Sequence, residues 1–310
     1  MSLGTTSWAE TDSVVFKILG ATTMQWSHPV GFICGSSSAA IVLFFATFAL
    51  AQVQKLEDIP KNIELCNNAN KTTSPEQQLL GCTGIIESGA ETSKAVAIAH
   101  NNRGNAYVRN GDFDRAIEEY DLAIKASSKY AIAFNNRGVA YQKKADYVRA
   151  IADLDESIRL FPDYAGAYAN RAETFVKKGQ FDRAIADYSE AIRLQPTLEG
   201  IWNGRCWARA VTGDLEAALA DCNEALRRQP NVAEVFDSRG LIYLKKGQWD
   251  AAFADYNAAL RLAPQLASAL YGRGFVRLKR GDTANGNADI VAAKAAHSAI
   301  AEDFKRYGVP

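Results

Sequence analysis

Four cysteines stand in two pairs of identical spacing: Cys66 and Cys82 are 16 residues apart, and so are Cys206 and Cys222. Paired thiols offer a disulfide, a redox couple or part of a metal site. Neither pair is a C-x-x-C, which argues against zinc and against a thioredoxin-type couple. The chain has 310 residues and 3 histidines, His28, His100 and His297. It contains no H-E-x-x-H, no paired zinc-type C-x-x-C and no G-x-x-x-x-G-K-[ST]. No catalytic residue, no cofactor site and no metal ligand set is therefore expected, and a thiol-redox enzyme is the one catalytic alternative. Lys+Arg and Asp+Glu balance at 35 each. A nucleic-acid binder would show a basic excess, so no nucleic-acid partner is expected.

The elements that must position these groups follow a strict period. Pro162, Pro196, Pro230 and Pro264 are each 34 residues apart. Cutting at that interval gives six contiguous units, 97–130, 131–164, 165–198, 199–232, 233–266 and 267–300. Positions within a unit run from 1 to 34. Position 4 is His100, Phe134, Tyr168, Trp202, Phe236 or Leu270; position 8 is small throughout (Gly104, Gly138, Ala172, Cys206, Gly240, Gly274). Position 11 is aromatic in Tyr107, Tyr141, Phe175 and Tyr243, with Arg209 and Arg277 as exceptions. The spacing 4, 8, 11 makes one stripe of a helix. Position 15 is Gly in five units and Ala145 in the other, which suits a left-handed cap. Asp112, Asp146, Asp214 and Asp282 at position 16 suit the N-cap of a second helix. That helix has its apolar face at 17, 20, 21, 24, 27 and 28, and proline at 32 stops it.

Two helices, a tight turn and a proline stop in 34 residues resemble the tetratricopeptide family. Tyr168, Ala172, Phe175, Gly179, Phe181, Ala184, Tyr188, Ala191 and Pro196 carry the resemblance most fully. It implies an all-α fold: a right-handed α-solenoid, or superhelix, of six helix-turn-helix repeats over 97–300, whose first helices line a concave groove. Unit 6 departs from the pattern at Thr283, Gly286, Asn287 and Lys294, as terminal repeats do. A C-terminal capping helix over 298–307, with Phe304 and Tyr307 turned inward, is expected to end the stack; residues 301–310 form its end.

One periodic feature departs from that family. Position 7 is Arg in every unit (Arg103, Arg137, Arg171, Arg205, Arg239, Arg273), and position 23 is acidic in every unit (Glu119, Asp153, Asp187, Asp221, Asp255, Asp289). In a hairpin turning at 15–16 these positions oppose each other, so a structural ladder of Arg–carboxylate pairs is expected, within or between repeats.

The cysteines fit the same frame. Cys206 and Cys222 take positions 8 and 24 of unit 4. A frame begun at Ile59 gives Cys66 and Cys82 those positions, so 59–89 reads as a capping hairpin within an N-terminal region 52–96. Of the five cysteines, Cys34 falls in the segment before Ala51; the other four allow three pairings, and this geometry favours 66–82 and 206–222; free buried thiols are the alternative. Upstream, Gly31 to Val53 carries no charge, and Ala49-Leu50-Ala51 offers an A-x-A cleavage site before Gln52. Residues 1–51 read as a signal peptide, or as an uncleaved anchor. Either places the repeats outside the cytoplasm, in the periplasm or cell envelope, with membrane contact only through that segment. Cys66…Cys82-Thr83, Asn101 to Tyr107 and Asp114 to Ile117 resemble exported tetratricopeptide proteins of alphaproteobacteria, which implies a periplasmic, non-enzymatic protein.

The family resemblance assigns positions 2, 5, 9, 12 and 13 of the first helices to the groove. The first half is then amide-rich, with Asn101, Asn105 and Asn135. The second half is apolar, with Trp207, Leu241, Leu244, Tyr271, Phe275 and Leu278. Such a contiguous apolar face is expected to take a peptide or protein partner; packing is the alternative, with the end helix around Phe304 folded over units 5–6 and Trp207 joining the core of unit 4. The family's carboxylate clamp needs cations that Asn101, Asn105, Asn136, Gly166 and Asn170 do not supply, which disfavours a cytosolic chaperone adaptor. A membrane-anchored assembly factor is the further alternative to a simple envelope scaffold.

Overall fold

Among the described residues, which are 58–68, 72–89 and 92–309 of a computed structural model, the chain forms fifteen helices and no strand. The expected signal or anchor segment, with its cleavage point at Ala51, lies outside these residues. No described helix is long and apolar enough to cross a membrane. Helices α1 (Ile59–Asn67) and α2 (Pro75–Glu87) form an N-terminal hairpin, and Pro75 opens α2 where its missing N–H costs nothing. Six pairs follow: α3 (Ser93–Arg109) with α4 (Phe113–Ala126), α5 (Ala131–Lys143) with α6 (Tyr147–Leu160), α7 (Ala165–Lys177) with α8 (Phe181–Leu194), α9 (Ile201–Thr212) with α10 (Leu215–Arg228), α11 (Ala233–Lys245) with α12 (Trp249–Leu262), and α13 (Ala267–Lys279) with α14 (Thr283–Ala296). The short α15 (Ile300–Arg306) ends the chain. Every second helix occupies positions 17–30 of its unit.

One backbone device joins each pair. The position-16 N–H donates to the position-11 carbonyl in all six units, at 2.8–3.0 Å. This closure needs a left-handed residue at position 15. Five glycines supply it with φ between 69° and 97°, and Ala145 adopts it at φ 60°. Asp112, Asp146 and Asp282 cap the second helix as expected, accepting from the N–H of Arg115, Arg149 and Asn285. Asp214 makes no such bond.

Packing between the two helices sets a small residue at position 8 against a large one at 24. A Cβ added to Gly240 would lie 2.8 Å from Tyr256 Cε1, and one added to Gly104 would lie 2.6 Å from Tyr120 Cε1. Tyr120 and Tyr256 are fully buried by this contact. In unit 4 and in the N-terminal hairpin a disulfide takes its place: Cys206 joins Cys222 and Cys66 joins Cys82, with Cα atoms 5.4 and 4.6 Å apart. All four cysteines are completely buried.

Each first helix from α1 to α13 touches the next first helix, whereas no second helix of a unit touches the next one. The first helices therefore form the inner layer of the solenoid and the second helices the splayed outer layer. Positions 5, 9 and 12 of the first helices face inward on this arrangement.

Candidate binding groove

The arginine ladder holds the inner layer in register. Arg137 Nε and Nη2 donate to Asp153 Oδ2 and Oδ1 at 2.8 and 2.7 Å. The same two-pronged pair joins Arg171 to Asp187, Arg205 to Asp221, Arg239 to Asp255 and Arg273 to Asp289. The third nitrogen of each fork reaches back one repeat, to position 25. Arg137 Nη1 donates to Asp121, Arg171 to Asp155, Arg205 to Ser189, Arg239 to Asn223 and Arg273 to Asn257. Arg103 makes the same bond to Thr83 of the N-terminal hairpin. A guanidinium is the one side chain with enough fixed donors for both tasks.

Three departures in the sequence become intelligible here. Arg209 and Arg277, which interrupt the aromatic position 11, add a second guanidinium to Asp221 and Asp289, at 2.7 and 2.8 Å. His100, which stands where other units carry an aromatic or Leu, is buried and bonds Glu119 through Nδ1 at 2.8 Å. Burial pushes the Glu119 carboxyl up, but hydrogen bonds from His100 and Arg103 outweigh this and hold it below the ordinary carboxylate value. The second histidine of this part of the chain, His297, pairs with Asp303 at 2.7 Å and fixes the start of α15.

The amide half of the expected groove is not a free surface. Asn101 and Asn135 are buried, and their carbonyls accept from Asn136 and Asn170 of the following repeat at 3.0 and 2.8 Å. Asn105 Oδ1 accepts from Tyr120 Oη at 2.7 Å and from Asn136 at 3.2 Å. These side chains spend their polar groups on one another because position 5 lies under the next first helix.

The apolar half is covered by the chain itself. After α14 the chain turns back over the inner layer. Phe304 packs on Tyr271 with ring centroids 4.7 Å apart, and Tyr307 reaches Trp207 of unit 4. Val309 is buried beside Leu244 and Phe275. Leu241 and Leu244, expected on an open docking face, belong to the largest core cluster together with Ile300, Phe304 and Val309; Tyr271 and Phe275 pack against it. Leu278 turns to the glycine of α14, where a Cβ on Gly286 would lie 2.9 Å from its Cδ2. The expectation of one open apolar strip from Trp207 to Leu278 is thus corrected: ten C-terminal residues supply the partner surface in cis. The inward turn of Phe304 and Tyr307 was readable; their reach to unit 4 was not.

What stays open on the inner layer is its middle. Val139, Glu173 and Val176 are partly exposed, with Lys143 and Lys177 exposed beside them. Past Val176 the surface dips into a cleft of about 300 Å³ bounded by Tyr188, Asn203, Trp207, Glu234, Asp237 and Ser268. Burial pushes the Asp237 carboxyl up to about 7, with the charge of Glu234 adding to this and a hydrogen bond from Ser268 opposing it. No cluster of metal-ligating side chains occurs among the described residues.

Sequence-family profiles recognise this chain in three places. A profile described as TPR repeat matches 104–144 and 240–281, and one described as tetratricopeptide repeat matches 165–198. The chain carries tetratricopeptide repeats. Solved structures agree on the fold. A tetratricopeptide repeat protein from Parabacteroides merdae ATCC 43184 superposes with a TM-score of 0.61 at 16% identity, over 82% of this chain and 99% of its own. PilW, described as a widely conserved type IV pilus biogenesis factor, gives 0.58 at 18%, over 64% and 93%. YrrB, described as a TPR protein with an unusual peptide-binding site, gives 0.51 at 23%, over 62% and 97%. At these identities the likeness is one of fold. No curated protein matches the chain. The α-solenoid read from the 34-residue period is the architecture found.

Proposed function

We propose that this tetratricopeptide-repeat chain is a non-enzymatic interaction scaffold of the cell envelope or periplasm. It takes a peptide or protein partner along the inner face of its first helices. The observation that carries this reading is the division of labour among polar side chains. The periodic Arg, Asp and Asn residues are consumed in holding repeats together, while units 2 and 3 keep Val139, Lys143, Glu173, Val176 and Lys177 at positions 9, 12 and 13 accessible. The peptide-binding site described for YrrB, on the same fold, supports a peptide as the occupant. Two buried disulfides support an oxidising compartment. Export by the segment ending at Ala51 would place the repeats there, whether that segment is cleaved or kept as an anchor.

The test is a photo-crosslinking amino acid placed singly at Val139 and Val176 on the inner face and at Val148, 71% exposed on an outer helix, in living cells. The inner positions should give discrete adducts in the envelope fraction and the outer one none. Adducts from Val148 alone, or none from any position, would sink the reading. Intact mass of the exported protein should begin at Gln52 if the signal is cleaved.

A further inference from the structure

The C-terminal segment seated on the inner layer has the form of a ligand. Ile300, Phe304 and Tyr307 stand at i, i+4 and i+7 along α15 and its C-cap, which puts all three on one helix face. Phe304 packs on Tyr271 and Tyr307 on Trp207, while Ile300, Phe304 and Val309 join Leu241 and Leu244 in one core cluster. Glu302, Lys305 and Arg306 are exposed. This is the pattern with which an amphipathic helix enters an apolar groove.

Apolar contact is what holds the segment in place. Among the described residues, no hydrogen bond or ion pair joins 300–309 to α9, α11 or α13. Asp303 bonds His297 and Arg306, its neighbours in the chain, and the backbone bonds of the segment stay within 297–309. A helix of seven residues is too short to persist on its own, so α15 folds only while its seat is free. That seat is continuous with the open middle of the inner layer. Val176 and Trp207 border one cleft, and the partly exposed Tyr307 lies on Trp207 at this boundary.

We propose that the C-terminal segment is an intramolecular competitor. The seat beneath it takes a helical segment of a partner protein that carries an aliphatic residue and aromatic residues four and seven positions on. Such a partner would lie on the open middle, reach Trp207, and displace first Tyr307 and then Phe304. Contacts around Val139, two units beyond Trp207, would give an intermolecular ligand its advantage over the tethered one. The partner's identity rests on the inner-face reading above; the displacement is tested without it.

The probe is a fluorescein-labelled peptide of residues 298–310, added to the oxidised full chain and read by anisotropy. In the parent the tethered segment holds the seat, so the peptide should bind weakly. Phe304→Ala removes the buried anchor, and Lys305→Pro, at an exposed position, breaks α15 without altering the seat. Each should bind the peptide about a hundredfold tighter than the parent, because the fraction of open seats sets the apparent affinity. Adding Trp207→Ala to Lys305→Pro should weaken that binding about tenfold. An unrelated Ala/Lys helix bearing Ile, Phe and Tyr at the same spacing should compete, and the same helix with its residues reordered should not. Equal affinity in the parent and both variants, no binding in any of them, or competition by the reordered helix would overturn the proposal. A parent dimer that the peptide dissociates would seat a second copy's tail in the groove and overturn the assignment to another protein. Tightened peptide binding without crosslinks from Val139 and Val176 in cells would leave the displacement standing and remove the inner-face reading.

Discussion

Tyr307 meets Trp207 edge to face, with ring centroids 5.3 Å apart. The contact ties the last turn of the chain to the first helix of unit 4 and covers the apolar part of the inner layer. Removing residues 300–310 should therefore shift tryptophan emission to the red and raise binding of a hydrophobic dye. Phe304→Ala should cost about 3–5 kcal/mol, as buried aromatics do. Unchanged emission and stability in the truncated chain would mean that the tail does not cover the groove.

The arginine forks make a graded prediction. Asp187 is buried, and its removal would leave Arg171 with its chief partner gone; Asp187→Ala should cost about 3–5 kcal/mol. Asp155, which the same guanidinium reaches across the repeat boundary, is half exposed, and Asp155→Ala should cost about 1 kcal/mol or less. Urea unfolding of the two variants checks the order. Equal losses would show that the within-repeat and between-repeat bonds are not distinct in weight.

The period, the helix pairs and the small residue at position 8 were all legible, because each is repeated six times and local chemistry enforces it. The facing of Cys206 and Cys222 followed from the same frame. What escaped the sequence were features that exist only between repeats. The partner of each Arg at position 25 varies as Thr83, Asp121, Asp155, Ser189, Asn223 and Asn257, so no single residue type announced it. Its steady polarity was the available signal. The groove residues depend on neighbours in the same way. Asn101 and Asn135 read as surface amides until the next helix lies over them, and Leu241 and Leu244 allowed either a docking surface or packing beneath the end helix until the tail's return is seen.

Ala145 is the one alanine at a position where five other units place glycine, and it holds φ 60°. A Cβ is disfavoured there. Ala145→Gly should raise stability by about 1 kcal/mol. The matching change Gly179→Ala, at φ 72°, should lower it by a similar amount. Melting curves of the pair check both signs, and a loss of stability in Ala145→Gly would contradict the strain.

Asp237 gives a pH dependence whose sign can be worked out. Its carboxyl is raised to about 7 in the folded chain, against about 3.9 when unfolded. Between those values the folded state binds more protons, so this group lowers stability as pH rises from about 4 to 7. Asp237→Asn removes the effect. The variant should gain on the parent progressively across that window and hold a constant advantage above it. A difference independent of pH would place the carboxyl in water.

The last prediction concerns the disulfide of unit 4. Closing so short a loop contributes roughly 3 kcal/mol in the chain-entropy model, so Cys206→Ala with Cys222→Ala should lower stability by about that amount. Packing adds a second consequence. Units 1 and 5 fill the same space with Gly104 against Tyr120 and Gly240 against Tyr256. Tyr256 also lies against Gly272 of the next repeat, where a Cβ would clash with its Cζ, so a ring at position 222 needs Ser238, the equivalent residue, changed to glycine as well. Cys206→Gly combined with Cys222→Tyr and Ser238→Gly should therefore restore most of what Cys206→Ala with Cys222→Ala loses. The restored chain should respond to reductant only through Cys66–Cys82. If the Gly/Tyr pair is no more stable than the Ala/Ala pair, unit 4 does not share the packing geometry of its neighbours, and the disulfide holds a spacing peculiar to that repeat.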